Sequence, residues 1–232
     1  LPIPGPSRWR FPDPATAGED GLVGIGADLD PATLVDAYRR GIFPWPHPGA
    51  PLPWFSPDPR GVIPLGGLAV SRSLRARLRR SGWETTVDRA FAAVLAGCAD
   101  RPGPIPEGGT WITPPMRAAY QRLHDLGHAH SLEVWDGARL VGGLYGVAVG
   151  GVFTGESMFH VASDASKVAL VDLVARLAEA GGCLIDVQMV TPHLASLGAR
   201  DVPRAEFLDL LARVRDLPVR LAGDRLPVAR LG

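Results

Sequence analysis

The sequence predicts an α+β protein, a mostly antiparallel sheet flanked by helices, on three observations. From Ser131 onward apolar residues follow the two-residue period of strands, broken by turn signals at Asp136-Gly137 and Val149-Gly150-Gly151-Val152. Around that run lie segments with helical period and helical punctuation. The 232 residues are 46% hydrophobic and 21% charged, ordinary globular composition, and no apolar run approaches the length of a membrane-spanning helix.

The elements follow in order. The chain is loop-rich up to Asp30, which is placed to cap a helix whose first position suits Pro31; Leu34 and Tyr38 share a face, and Gly41 is the stop. Aromatic rings set among prolines come next, in Gly41-Ile42-Phe43-Pro44-Trp45-Pro46 and Pro53-Trp54-Phe55-Ser56-Pro57-Asp58-Pro59-Arg60. Proline continues neither a helix nor a central strand, so a stiff, ring-presenting loop is expected here. A boundary near Arg60 divides a small N-terminal domain, residues 1–62, from the main domain, residues 63–232. Residues 71–80 read as a short helix with Leu74 and Leu78 inward, and residues 88–97 as a second with Phe91, Val94, Leu95 and Cys98 on its apolar face. A proline- and glycine-rich loop at 101–109 leads to Thr113, which caps a helix over 114–126 with Met116, Tyr120 and Leu123 inward. Strands then carry Leu132 and Val134, Leu140 to Val147, and Phe153 to Phe159. Ser163 is expected to cap a long helix to Ala180 with Leu170, Leu173 and Leu177 on one face. Residues 183–188 form a strand, and residues 203–214 a last helix burying Phe207, Leu208 and Leu211.

Formal charges cancel, but their distribution is uneven. Between Asp58 and Glu84 there is no acidic residue, while Arg60, Arg72, Arg75, Arg77, Arg79 and Arg80 all fall in that window. With Trp45, Trp54, Phe55 and Trp111, this set suits phosphate contacts and base stacking on a single-stranded RNA end. A solvated basic helix is the competing explanation. Lys167 is the single lysine; it either meets phosphate near a helix start or pairs with Asp164. Cys98 and Cys183 are too few for a disulfide framework and read as small core residues. The proline-rich N-terminus lacks the pattern of a secretory signal, which points to the cytosol. His124, His128 and His130 are interrupted by Gly127 and fit no zincin spacing, so no metal is expected. With no phosphate loop and no dinucleotide fingerprint, no cofactor is expected either.

Residues two apart in a strand point to one side, so Asp186 and Gln188 share a face, and so do Glu156 and Met158. A carboxylate and an amide among Leu184, Ile185, Val187 and Met189 must be hydrogen-bonded or exposed. They form either a satisfied polar pair or a working set. Gly155-Glu156-Ser157-Met158-Phe159 begins like a nucleophile elbow, but Phe159 stands where the second glycine belongs, so Ser157 is not assigned as a nucleophile.

Several of these stretches together resemble the bacterial leucyl/phenylalanyl-tRNA–protein transferases. The resemblance is carried by Gly41-Ile42-Phe43-Pro44-Trp45, Trp54-Phe55-Ser56-Pro57-Asp58-Pro59-Arg60, Gly109-Thr110-Trp111-Ile112-Thr113 and Gly127-His128-Ala129-His130-Ser131. Gly155-Glu156-Ser157-Met158-Phe159, Ala165-Ser166-Lys167 and His193-Leu194-Ala195-Ser196-Leu197-Gly198-Ala199 complete it. It implies a small N-terminal domain and an acetyltransferase-like (GNAT-like) C-terminal domain. The activity it implies is transfer of Leu or Phe, and less readily Met, from aminoacyl-tRNA to proteins beginning with Arg or Lys, which then become degradation substrates. By the same resemblance, Trp45 and Trp111 hold the terminal adenosine. An apolar pocket would include Leu144, Met158, Leu170, Leu173, Leu177 and Ile185, with Glu156, Asp186 and Gln188 around the reacting ester. Arg72, Arg75, Arg77, Arg79, Arg80 and Lys167 are the expected tRNA contacts. The family pattern is departed from at Phe55, where many members carry a second Trp, and at Thr191-Pro192, where an Asn is common.

An aminoacyl ester is already activated, so amide formation asks for positioning, proton removal and oxyanion stabilisation. Either Asp186 polarises Gln188, whose amide oxygen orients the attacking amine, or Asp186 acts directly as base; Glu156 holds the ester end or the acceptor's cation. An acyl-CoA N-acyltransferase and a non-catalytic RNA-binding module stay open as alternatives. A monomer is expected.

Overall fold

The computed structural model describes residues 4–47, 49–100 and 110–232, so the loop expected at 101–109 lies outside the described residues. The N-terminal portion carries a three-stranded antiparallel sheet. Its central strand β3 (Pro53–Phe55) lies between β1 (Leu22–Ile25) and β2 (Phe43–Pro44). The proline–aromatic stretch expected as loop thus contributes two short strands. The prolines permit this because Pro53 opens its strand and Pro44 closes an edge strand, positions where a missing N–H breaks no ladder. Helix α1 (Pro31–Arg39) follows Asp30 and ends at Gly41, whose φ of +74° is the left-handed stop glycine tolerates.

The larger sheet has eight strands: β4 (Arg60–Pro64), β5 (Glu84–Val87), β6 (Ala129–Asp136), β7 (Arg139–Val149), β8 (Val152–His160), β9 (Leu184–Gln188), β10 (Arg200–Val202) and β11 (Leu226–Pro227). Their spatial order is β10-β4-β9-β8-β7-β6-β5-β11, with every neighbouring pair antiparallel except β8 and β9. That parallel pair is joined across one face by the long helix α5 (Ala165–Glu179). Both predicted hairpin turns are present, with Asp136 paired to Arg139 and Val149 to Val152. Strand β4 runs across residue 62 and is hydrogen-bonded into the large sheet, a role its proline-flanked Arg-Gly-Val-Ile did not disclose. The shortest strands, β5, β10 and β11, carry too few residues for an alternating signal.

Helices α2 (Arg72–Arg80), α3 (Phe91–Ala99), α4 (Pro114–Asp125), α6 (Pro192–Ser196) and α7 (Arg204–Val214) complete the set. Ser71 and Thr113 cap α2 and α4 as expected, accepting from the N–H of Leu74 and Met116. Two starts differ from expectation. Helix α3 begins at Phe91, not near Asp88: Asp88 sits at φ +60° and its carboxylate accepts the Ser131 N–H at 2.9 Å, tying it to β6. Helix α5 is preceded by Asp164 at φ +69°, not by Ser163, and Asp164 holds Lys167 instead of capping the backbone.

Two apolar layers cover the sheet. On one face α1, α3, α4 and α7 pack with the N-terminal portion, burying Leu34, Tyr38, Phe91, Tyr120 and Phe207. On the other, α2 and α5 bury Leu74, Leu78, Leu170, Leu173 and Leu177. No helix among the described residues is long and apolar enough to cross a membrane.

Two irregularities open the centre of the sheet. The β8–β9 pairing runs from Val152 opposite Leu184 only as far as Thr154 opposite Asp186, after which β8 continues without it. At the same level Gly146 of β7 faces Gly155 while Tyr145 faces Ser157, so Glu156 is the extra residue of a bulge. The bulge reverses the alternation. Met158 packs with the α5 layer, whereas Glu156 hydrogen-bonds to tyrosines of the opposite layer. Glu156 and Met158 therefore do not share a face, because the two-residue period fails across a bulge. Gly146 makes the bulge feasible: a Cβ there would collide with the Thr154 carbonyl and the Phe153 ring. Gly146→Ala is expected to destabilise the fold by about 1–3 kcal/mol, the usual cost of overpacking, read as a lowered midpoint in chemical denaturation.

Candidate active site

The splayed ends of β8 and β9 enclose a cavity of about 310 Å³. Its apolar wall is Leu144 of β7, Met158 of β8, Leu170 and Leu173 of α5, and Ile185 and Val187 of β9. Glu156 and Gln188 stand at its polar end, and Thr191, which caps α6, with His193 and Leu194 of α6 forms a rim. A crevice outside the carboxyl end of parallel strands is where α/β sheets characteristically bind ligands. A larger cavity of about 390 Å³ lies between Arg39, His128, His130 and the segment 215–221, but none of Glu156, Asp186 or Gln188 borders it. The concentration of polar groups at an apolar mouth singles out the smaller one.

Of the residues expected at the pocket, Leu144, Met158, Leu170, Leu173 and Ile185 are there. Leu177, one helical turn beyond Leu173, is buried core instead, and Gly182 packs against it. Trp45 and Trp111 do not line the cavity; both are half-buried on the N-terminal side of the sheet, Trp45 tilted against Phe43. Ser157 contributes a buried hydroxyl without a partner among the described residues.

Asp186 is buried and fully engaged. Arg60 of β4 grips it with two parallel bonds, Nε to Oδ1 at 2.8 Å and Nη2 to Oδ2 at 2.7 Å. The Gln188 N–H donates to Oδ1 at 3.0 Å and the Thr154 hydroxyl to Oδ2 at 3.1 Å. Arg60 spends its remaining Nη1 donor on the Gly41 carbonyl at 2.9 Å and lies over the Phe207 ring, 4.4 Å from its centroid. Arg60, counted above among RNA-facing arginines, is thus 1% exposed and belongs to the core. Among the described residues no hydrogen bond joins Asp186 to the Gln188 side-chain amide. Gln188 sits at φ +61° beyond a bulge at Val187, which turns its side chain out of alternation and across the gap to β8. There its Nε2 donates to Glu156 Oε1 at 3.3 Å.

Glu156 is held by two hydroxyls from the opposite layer, Tyr38 of α1 to Oε1 at 2.8 Å and Tyr120 of α4 to Oε2 at 2.9 Å. The tyrosine oxygens are themselves 2.5 Å apart. Burial, opposed by those hydrogen bonds and aggravated by the charge of Asp186, pushes the Glu156 carboxyl up to about 7. Burial also raises both tyrosines well above their ordinary value, so each keeps its proton. The sequence puts Tyr38 on one helix face with Leu34 and Tyr120 inward, but gives neither a role. The available signal was that a buried phenol must find a hydrogen-bond partner.

Arg72, Arg75, Arg77, Arg79 and Arg80 are all exposed around the buried Leu74 and Leu78, with Arg77 lying over Trp83. The lead-in to this helix is fastened beside the pocket rim by the Ala69 N–H, which donates to the Leu197 carbonyl at 3.0 Å. Lys167 pairs with Asp164 at 2.9 Å. His124 stacks on Phe91, and His130 meets the Asp88 carboxylate at 2.7 Å.

Two outcomes follow from this geometry. Arg60→Ala strands the buried Asp186 charge and is expected to cost about 3–5 kcal/mol of stability in denaturant unfolding. Arg60→Lys recovers little of it, since one ammonium cannot replace the paired guanidinium donors. Glu156 in the folded chain keeps its proton up to about 7, against an ordinary 4.5. Folding therefore favours the protonated form. The stability Glu156 contributes is full below about 4.5, is lost as pH rises toward 7, and is constant above. Glu156→Gln, which cannot ionise, is expected to gain in melting temperature relative to the parent across that window and to hold the gain at higher pH.

Comparison with known proteins identifies the family. Residues 62–212 match the family model described as leucyl/phenylalanyl-tRNA protein transferase, and residues 27–58 match the model of its N-terminal domain. A leucyl/phenylalanyl-tRNA–protein transferase of Nitratidesulfovibrio vulgaris (strain DP4) is 54% identical over 94% of this chain and 92% of its own. One from Thiobacillus denitrificans is 56% identical over 90% and 91%, and one from Chromohalobacter salexigens 55% over 91% and 83%. A transferase family is thereby fixed for an apolar crevice with a carboxyl and an amide at its mouth: the chain belongs to the leucyl/phenylalanyl-tRNA protein transferases.

Proposed function

We propose that this enzyme moves Leu or Phe, and less readily Met, from aminoacyl-tRNA to the α-amine of proteins that begin with Arg or Lys, marking them for degradation. The observation that carries this reading is the cavity of about 310 Å³, walled mostly by apolar side chains, with Glu156 and Gln188 together at its polar end. It suits an uncharged aliphatic or aromatic side chain with the reacting ester left at the polar end. In the reaction the amine nitrogen attacks the ester carbonyl, a C–N bond forms, and the bond from carbonyl carbon to ribose oxygen breaks. The amine's proton passes to that leaving oxygen, giving an amide and a free ribose hydroxyl.

The acceptor amine has an ordinary pKa of about 7.7–8.0, so a useful neutral fraction exists near neutrality. Because Gln188 Nε2 is engaged with Glu156, its Oε1 is the atom available to accept an N–H from that amine. Asp186 acts as a positioning residue: its contact with the Gln188 main chain fixes the residue that orients the nucleophile, and its pairing with Arg60 argues against a role as direct base. Orientation of this kind is worth roughly 7–11 kcal/mol of barrier. The exposed arginines of α2 suit the tRNA phosphates, and Lys167 at the start of α5, though paired with Asp164, has further ammonium donors to offer one. Trp45 and Trp111, being half-buried and outside the cavity, are offered as stacking surfaces for the terminal adenosine. Residues 1–62 would form the small N-terminal domain and residues 63–232 the acetyltransferase-like one. The separate three-stranded and eight-stranded sheets favour two domains, with β4 carrying residues 60–62 into the larger one.

Transfer of labelled Phe from charged tRNA to a peptide beginning with Arg, and not to the same peptide with its amine acetylated, tests the reaction and its nucleophile. Tight tRNA binding with no transfer to either peptide would reject it in favour of an RNA-binding module. Leu173→Phe narrows the cavity and is expected to reduce Phe transfer about tenfold more than Leu transfer in direct competition, within the range one pocket contact confers.

A further inference from the structure

The hydrogens around Glu156 do not add up if its carboxyl is ionised. Three oxygen–oxygen contacts close a triangle: Tyr38 Oη to Tyr120 Oη at 2.5 Å, Tyr38 Oη to Glu156 Oε1 at 2.8 Å, and Tyr120 Oη to Glu156 Oε2 at 2.9 Å. Each is at hydrogen-bond distance, and each phenol supplies one hydrogen. A carboxylate supplies none, so two hydrogens would serve three contacts and one pair of oxygens would face each other lone pair to lone pair. A neutral carboxyl supplies the third.

We infer that Tyr38, Tyr120 and Glu156 form a closed ring of three O–H···O bonds that holds Glu156 as a neutral acid in the free enzyme, which makes both tyrosines positioning residues for transfer. Gln188 selects the sense of the ring. Its Nε2 donates to Glu156 Oε1, so Oε1 is the carbonyl oxygen, accepting from Gln188 and Tyr38, and Oε2 carries the proton. The bonds then run from Glu156 Oε2–H to Tyr120, from Tyr120 to Tyr38, and from Tyr38 back to Oε1. The raised value of the Glu156 carboxyl agrees with this state.

Tyr38 lies on α1, Tyr120 on α4, Tyr145 on β7, Asp186 and Gln188 on β9 and Arg60 on β4, and His193 of α6 shares the cavity. The charged groups that act most on the carboxyl, Asp186 and Arg60, are paired with each other. The consequence, which rests on the transferase reading, concerns the nucleophile. A carboxylate beside the acceptor amine would hold it as ammonium, the form that cannot attack. With Asp186 neutralised by Arg60 and Glu156 neutral, the polar end of the pocket imposes no such bias.

Infrared difference spectroscopy of the free enzyme, parent minus Glu156→Gln, tests the ring at about pH 6, between the ordinary and the folded value of this group. The expected result is the C=O band of a protonated carboxylic acid, lost as pH is raised past about 7. Carboxylate bands in its place at that pH would overturn the proposal. Glu133, Asp172 and Asp186, the other buried carboxyls among the described residues, are common to both proteins and cancel in the difference. Should Glu156→Gln fail to fold, Tyr38→Phe serves, since removing the donor to the acid's carbonyl shifts the band to higher wavenumber; an unmoved band argues against the ring. Opening the ring at either tyrosine removes the same arrangement. Tyr38→Phe and Tyr120→Phe are therefore expected each to lower kcat/KM roughly tenfold and together hardly more, whereas losses that multiply to roughly a hundredfold would refute cooperation. The infrared measurements need no tRNA, so their outcome stands whether or not the transfer reaction itself is upheld.

Discussion

The pairing of Arg60 with Asp186 is the constraint to which the rest of the structure is fitted. Both groups are 1% exposed, and removing such charges from water is tolerable only where nearly every donor and acceptor is matched. Here the matching reaches into three parts of the chain. Arg60 binds β9 through the carboxylate, the end of α1 through the Gly41 carbonyl, and the last helix through the Phe207 ring. Asp186 gathers β8 through Thr154 and fixes the left-handed Gln188 through its N–H. One ion pair therefore sets where the N-terminal portion meets the large sheet, where the parallel pairing of β8 and β9 stops, and how Gln188 leaves the strand.

The gap between β8 and β9 is the direct product of that arrangement. Beyond Thr154 and Asp186 the strands part, and the bulge at Glu156 sends one carboxyl into the tyrosine layer while Met158 remains in the apolar wall. A regular β8 would have put Glu156 and Met158 on the same side and an ionisable group in the apolar pocket. The N-terminal portion is tied to the same centre for the same reason. Tyr38 on α1 and Gly41 at its end supply contacts to Glu156 and Arg60 that the large sheet does not provide.

Much of this was legible in the sequence where periodicity or turn chemistry was strong. The hairpin turns at Asp136-Gly137 and Gly150-Gly151, the caps Ser71 and Thr113, and the inward leucines of α5 all follow from local rules, and five of the six expected pocket residues line the cavity. What was hidden depends on partners distant in the chain. Nothing local distinguishes Arg60, buried against a residue 126 positions away, from the exposed arginines that follow it. Leu177 satisfied the helical spacing of the pocket wall and fell outside because the cavity ends a turn earlier. The bulge at Glu156 is invisible to a two-residue period, and Ser163 lost its expected role because the adjoining Asp164 takes a left-handed conformation before α5.

The division of labour among the polar groups explains how a site without a free buried charge can serve an acyl transfer. An activated ester needs little assistance at its carbonyl, and a terminal amine is nucleophilic once neutral, so a strong base would add less than correct placement. Asp186 is committed to Arg60 and to the main chain of Gln188, and Glu156 to its tyrosines. The amide oxygen of Gln188 is then an acceptor that can orient an amine without converting it to ammonium. The two carboxyls are alike in being occupied: each is tied to neighbours at the mouth of the apolar crevice, so neither presents an uncompensated charge to a group bound there.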